Sequence, residues 1–451
     1  MNNKLAIISA MLFTASTALT SMGKVTLDVS LVGAIGSSEL AAFAFVFPIL
    51  FLLISVAGGI YVATAAAFAG EGRLDNGRVR RGPLLQSVLV SLILGALVAA
   101  VLHACLPVLL TAMGAANHLA QLGRYFSIWL WTVPLMFVSA NTFAIIRNLG
   151  YFKTASAITL VATAVGASLS ILLIPVHMGG AIWGVAGSAY STLATSALST
   201  TLSLAFVAVL SCEGGESAFW SAFVEMAQSI LIIGLPVLLS NILLFLFLSM
   251  LTRVFSGFGQ DSIAAYGING RVEQILLYFQ TAFVTVATPT ITRLWAKHDS
   301  ASMLVFIRGM ASLMFWFSLV GAVIVFVARH WIAAMASPTP ETYKICVFFL
   351  CVVPGTIGLQ GIFILATTAL NLMKKPGRSL LWCGVYYGVI NAPLLLASQS
   401  LGDARWSISA LALATIVAGA LSWLLISREI KAATGFMDNL IMPMSNESAK
   451  L

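Results

Sequence analysis

The chain has 451 residues, 60% of them hydrophobic and 8% charged, with a formal net charge of +8 and a mean hydropathy of +1.01. That balance excludes an ordinary soluble domain and describes an integral membrane protein. The surplus of Lys and Arg sits in alternate loops, so it marks topology rather than a nucleic-acid partner.

In chain order the apolar runs fall at 5–33, 40–70, 84–112, 119–146, 152–178, 181–211, 228–256, 262–292, 303–328, 342–372, 379–400 and 406–427. They are continuous and far longer than the ~10-residue alternating strands of an outer-membrane barrel, so an all-α membrane protein of twelve helices is expected. Arg78, Arg80 and Arg81, then Arg147 and Lys153, then Lys374, Lys375 and Arg378 mark the loops of one side. The positive-inside rule makes that side cytoplasmic, with both termini on it, and the expected location is the cell (inner) membrane. Five scattered cysteines give no disulfide framework, and the histidines show no metal-ligand spacing. Without a phosphate-binding loop or HExxH, no metal, no cofactor and no enzymatic activity is expected.

The sequence repeats itself. GSSELAAFAF at 36–45 aligns with GQDSIAAYGI at 259–268, and Asn148-Leu149 with Asn371-Leu372, both at a displacement of 223. Two related six-helix halves follow, and six being even, they run in the same direction across the membrane. The expected organisation is an N-terminal lobe at 1–211, a cytoplasmic linker at 212–227, a C-terminal lobe at 228–432 and a tail at 433–451. The latter part of the linker reads as an amphipathic helix on the membrane surface. Pro134 and Pro354 occupy corresponding helices of the two halves, the pattern of paired bends.

Asp28 followed by Val32-Gly33, Gly36 and Glu39-Leu40-Ala41-Ala42 resembles the first-helix signature of the multidrug and toxic compound extrusion (MATE) transporters, closest to their bacterial and archaeal DinF-like branch. Arg147-Asn148-Leu149-Gly150, Gly184-Val185-Ala186-Gly187-Ser188-Ala189-Tyr190-Ser191-Thr192 and Ile263-Ala264-Ala265-Tyr266-Gly267-Ile268 resemble later motifs of that family. The resemblance implies export of small organic molecules, driven by a proton or sodium gradient, from a cavity between lobes 1–6 and 7–12. It also implies that Asp28 is the acid tied to cation coupling, with Thr192 nearby. The family's fifth-helix N-x-x-x-D-P stands here as Ser170 through Ile174-Pro175, so two expected sodium ligands are missing. Sodium needs several convergent oxygens, whereas a proton needs one titratable group, so H+ is the expected coupling ion and Na+ the second choice.

Lys24 and Asp28 lie about 18 Å and 12 Å inside the first span at 1.5 Å per residue. A charge at helix centre costs on the order of 2.5–3.5 kcal/mol, so both should point away from lipid. At i, i+4 they share a face. Two readings stand: a static pair, or a switch in which proton binding to Asp28 frees Lys24. In span eight, Glu273 shares a face with Tyr266 and Asn269, while Arg271 points elsewhere. The membrane-embedded charges Lys24, Arg253 and Arg271 outnumber Asp28 and Glu273, which suits an anionic or zwitterionic substrate. Asn141, Asn241, Gln360 and Asn391, with Trp129 and Trp131, complete the candidate cavity lining.

The function expected is therefore secondary active antiport by a monomer in the lipid bilayer. A flippase for a lipid-linked precursor is the alternative, and fourteen helices are its usual mark. An intramembrane enzyme would need paired Asp residues or a Ser/His dyad in the spans, and neither is present.

Overall fold

The computed structural model describes residues 4–35, 46–67, 79–112, 119–174, 184–212, 219–336 and 339–448. These are almost wholly helical. The helices are α1 (Lys4–Ile35), α2 (Val46–Ala67), α3 (Arg81–Ala112), α4 (Leu119–Trp129), α5 (Thr132–Asn148), α6 (Phe152–Leu173) and α7 (Gly184–Leu210). There follow α8 (Phe219–Gly257), α9 (Gln260–Ala296), α10 (Ser300–Ala336), α11 (Pro340–Val352), α12 (Ile357–Leu372), α13 (Pro376–Gly384), α14 (Ala392–Gln399) and α15 (Ala404–Ser448). Two short strands, β1 (Val79–Arg80) and β2 (Ser211–Cys212), pair in parallel with Val79 opposite Ser211.

Each of the twelve expected spans contains one of these helices or a broken pair of them. Among the described residues nine helices are long and apolar enough to cross a membrane unaided, and a tenth span is a pair bent by 40°. Residues 36–45, which carry one arm of the repeat and part of the first-helix signature, lie outside the described residues.

The interruptions follow from proline chemistry. Pro134 has no N–H for the carbonyl of Leu130, and there the chain turns on the tighter bonds Trp131 N to Ile128 O at 3.3 Å and Val133 N to Leu130 O at 3.1 Å. Pro354 deprives Leu350 in the same way, and a 3-10 turn, Pro354–Thr356, separates α11 from α12. The first break is a bend of 40°, the second an interruption within one span, and the helices before them end at Trp129 and Val352, at the displacement of the repeat. Pro393 has a third consequence, a π turn over Val385–Asn391 between α13 and α14. At the end of α5 the chain leaves through Gly150 at φ 94°, where Tyr151 N reaches Ile146 O at 3.1 Å and satisfies a terminal carbonyl.

Lipid offers helices no hydrophobic drive to associate, so small residues and close packing hold such bundles together. A Cβ on Gly95 of α3 would stand 2.6 Å from Pro134 Cα, and one on Gly187 of α7 would stand 2.7 Å from the Leu173 carbonyl oxygen of α6. The chain divides into two compact units, Leu12–Leu238 and Leu239–Leu451, the first eleven residues clustering with the latter. The linker departs from expectation: α8 begins at Phe219 and runs unbroken to Gly257, so residues 219–227 extend span seven instead of forming a separate surface helix. Likewise α15 continues past the expected end of span twelve to Ser448.

Candidate cation-coupling site

Lys24 and Asp28 stand one turn apart on α1, and both are withdrawn from the surface, 8% and 3% exposed. Lys24 Nζ meets Asp28 Oδ2 at 2.8 Å. The ammonium also donates to Thr192 Oγ1 at 2.9 Å and Ser191 Oγ at 3.0 Å, both on α7. Ser188, one turn earlier on α7, donates to Asp28 Oδ2 at 2.9 Å. Ser170 of α6 is fully buried and donates to Ser191 Oγ at 2.8 Å.

Helix spacing explains why these groups converge. Ser188, Ser191 and Thr192 stand at i, i+3 and i+4, one stripe of α7. Ser191 and Thr192 return their own hydroxyl protons to the Ser188 carbonyl at 2.9 and 2.8 Å, which turns their lone pairs toward α1. The close approach of α6 and α7 at Gly187 brings Ser170 into the same layer. The four residues expected at a coupling site, Asp28, Lys24, Thr192 and Ser170, are thus in one hydrogen-bonded network. Ser188 and Ser191 belong to it as well, although the sequence did not single them out. They share a face with Thr192 in the α7 motif, but nothing in the motif sets them apart from other serines of membrane helices.

The network is not saturated. Asp28 Oδ1 is buried and has no hydrogen-bond partner among the described residues. Tyr125 of α4, fully buried and stacked on Trp129 with centroids 6.4 Å apart, interacts electrostatically with the Asp28 carboxylate. Ile174, standing where the family has an acid, is completely buried and brings no oxygen.

The remaining candidates do not form one cluster. Glu273 of α9 interacts electrostatically with Tyr266 and with Tyr386 of the π turn, and Tyr266 stacks on Phe255 of α8 at 4.9 Å. Asn269 is fully buried, with neither amide atom partnered among the described residues. Arg271 is exposed, and Asn241 and Gln360 are half-buried. Asn141 is a helix staple, donating from α5 to the Ser87 carbonyl at 2.5 Å and Ser91 Oγ at 2.7 Å of α3. Asn391 donates from Nδ2 to the Tyr386 carbonyl at 2.8 Å in the π turn, while its Oδ1 is buried without a hydrogen-bond partner among the described residues. Trp131, at the break between α4 and α5, is 71% exposed, whereas Trp129 is buried.

Long apolar helices in two repeated halves, with an ion pair buried in one of them, define a multi-pass membrane protein of the kind that moves solutes. The family model described as MatE matches residues 14–173 and 236–396, one match in each half, and the chain belongs to that family. It is similar to a FAD transporter of Shewanella oneidensis, 22% identical over 92% of this chain and 93% of the relative. It is also similar to a probable multidrug resistance protein NorM of Rhizobium meliloti, 26% identical over 75% of this chain and 74% of the relative. Among solved structures, the MATE transporter VcmN of Vibrio cholerae in the bent form superposes with a TM-score of 0.87 at 20% identity, covering 95% of this chain and 97% of that one.

Proposed function

We propose that this protein is a proton-coupled antiporter of the cell (inner) membrane that exports small organic molecules by alternating access, with Asp28 as the coupling carboxylate and Lys24 as its counter-charge. The observation that carries the reading is the buried Lys24–Asp28 pair with one carboxylate oxygen, Oδ1, left without a partner among the described residues. A proton arriving at Oδ1 neutralises the carboxylate. The ammonium is then held by hydroxyl dipoles alone, and a strong ion pair becomes a weak contact. Release of the proton restores the pair. Such an element has two arrangements of similar energy, which is what a gradient needs to drive a cycle.

The substrate class proposed is anionic or zwitterionic, from the excess of embedded basic groups. FAD, named for the Shewanella relative, is itself an organic anion, which supports this choice. The protein is proposed to act as a monomer with both termini cytoplasmic, its two lobes joined near 212–227. A flippase finds no support beside a family match in both halves. The test is transport in proteoliposomes under proton and sodium gradients imposed separately, comparing an organic anion such as FAD with a cationic dye. Export that follows the proton gradient and prefers the anion is expected. Export driven by sodium alone would overturn the coupling, and preference for the dye would overturn the substrate class.

A further inference from the structure

The Lys24 ammonium occupies the point on which the oxygens of the first unit converge. An ammonium has three N–H donors, and here all three are used, on Asp28 Oδ2 at 2.8 Å, Thr192 Oγ1 at 2.9 Å and Ser191 Oγ at 3.0 Å. Those acceptors are themselves fixed from behind: Ser188 donates to Asp28 Oδ2 and Ser170 to Ser191 Oγ. The three acceptors are hard oxygens, one carboxylate and two hydroxyl, from α1 and α7, with Ser170 of α6 braced behind them. Such a set suits a small alkali cation as well as an ammonium.

We propose that Lys24 is a specificity-determining residue, a tethered cation that fills a seat built for a monovalent metal ion and thereby excludes sodium and lithium. This rests on the coupling role given above to Asp28 and adds to it the reason why the metal is refused. The missing fifth-helix ligands are not that reason, since Ser191 supplies a hydroxyl to the seat and Ser188 braces its carboxylate. The seat is complete and taken. A second cation cannot enter beside an ammonium whose every donor already points at the same oxygens, because like charges at such separations repel strongly in a buried setting. Removing the side chain leaves the Asp28 carboxylate in a network of four hydroxyls with no cation.

The test is thermal unfolding of the purified full-length protein in detergent, in choline, sodium, lithium or methylammonium chloride at equal ionic strength. The wild type is expected to unfold at one temperature in all four salts. Lys24→Ala is expected to gain roughly 2–4 °C in sodium or lithium over choline, as a ligand that binds only the folded state does. Methylammonium should give the same gain, since it returns the missing group as a free ion. The gain should vanish in Lys24→Ala/Asp28→Asn. Should Lys24→Ala not survive purification in choline, Lys24→Ser is read the same way, and recovery of either only in sodium counts as the expected result. A sodium response in the wild type equal to that of the variant would overturn the proposal, as would a folded variant indifferent to every salt. The readout is binding and not transport, so proton-driven export by the wild type stands or falls separately.

Discussion

Removing one member of a buried ion pair leaves the other with its desolvation cost and no partner, whereas removing both leaves only a packing defect. Lys24 and Asp28 are both buried, so Lys24→Met is expected to lower stability by about 3–5 kcal/mol, and Lys24→Met/Asp28→Leu by less. Thermal unfolding in detergent checks the order, and a double variant less stable than the single one would contradict it. This pair was legible from the sequence because two opposite charges one turn apart in an apolar run must turn from lipid and can reach each other. Ser188 and Ser191 were not. Serine is ordinary in membrane helices, where it bonds its own preceding carbonyl, and only the facing helix shows which lone pairs are turned outward. Asn141 and Asn391 show the converse. Both are polar residues in spans, as a cavity lining would be, yet they satisfy backbone carbonyls at a helix contact and at a π turn.

At the scale of elements, what the sequence showed well was proline. Pro134 and Pro354 marked the two breaks, since the lost donor and the clash with the preceding turn act locally and need no partner. Helix ends were less legible: α8 starts at Phe219 with no cap signal to mark it, and α15 runs to Ser448 through Gly435 and Pro443, residues that ordinarily weaken or end a helix. The seam between α6 and α7 positions Ser170 against Ser191, and its tightest point is Gly187. Gly187→Ala would place a methyl group 2.7 Å from a backbone oxygen, so a loss of about 1–3 kcal/mol is expected, with weaker export than the wild type. Unchanged unfolding in that variant would show that the seam has slack. A second element contact is polar. The hydroxyls of Thr339, the N-cap of α11, and of Thr342 both donate to Asp261 Oδ1 near the start of α9, and these bonds hold its carboxyl below the usual 3.8. A depressed value in the folded state means that this stabilisation is complete above pH 3.8 and fades as pH falls through the lower folded value. Asp261→Asn should therefore unfold earlier than the wild type at about pH 6, with the difference closing on acidification. A difference constant with pH would contradict that linkage.

At the scale of the whole molecule, the repeat was the most informative feature. The displacement read from short matches is also that between the ends of α4 and α11, at Trp129 and Val352, and the two MatE matches begin at 14 and 236, one in each half. Repetition is visible in sequence because each half must satisfy the same membrane constraints in the same order. The coupling ion is a finer matter, and the proposal places it at the Asp28 carboxylate. Export into sodium-free vesicles under an imposed pH gradient, compared between wild type, Asp28→Asn and Lys24→Ala, bears on this most directly. Wild-type export should rise with the gradient and collapse when an ionophore dissipates it, while Asp28→Asn transports at the same low rate with or without it, and Lys24→Ala responds weakly. Full gradient-driven export by both variants would contradict a coupling role for the pair.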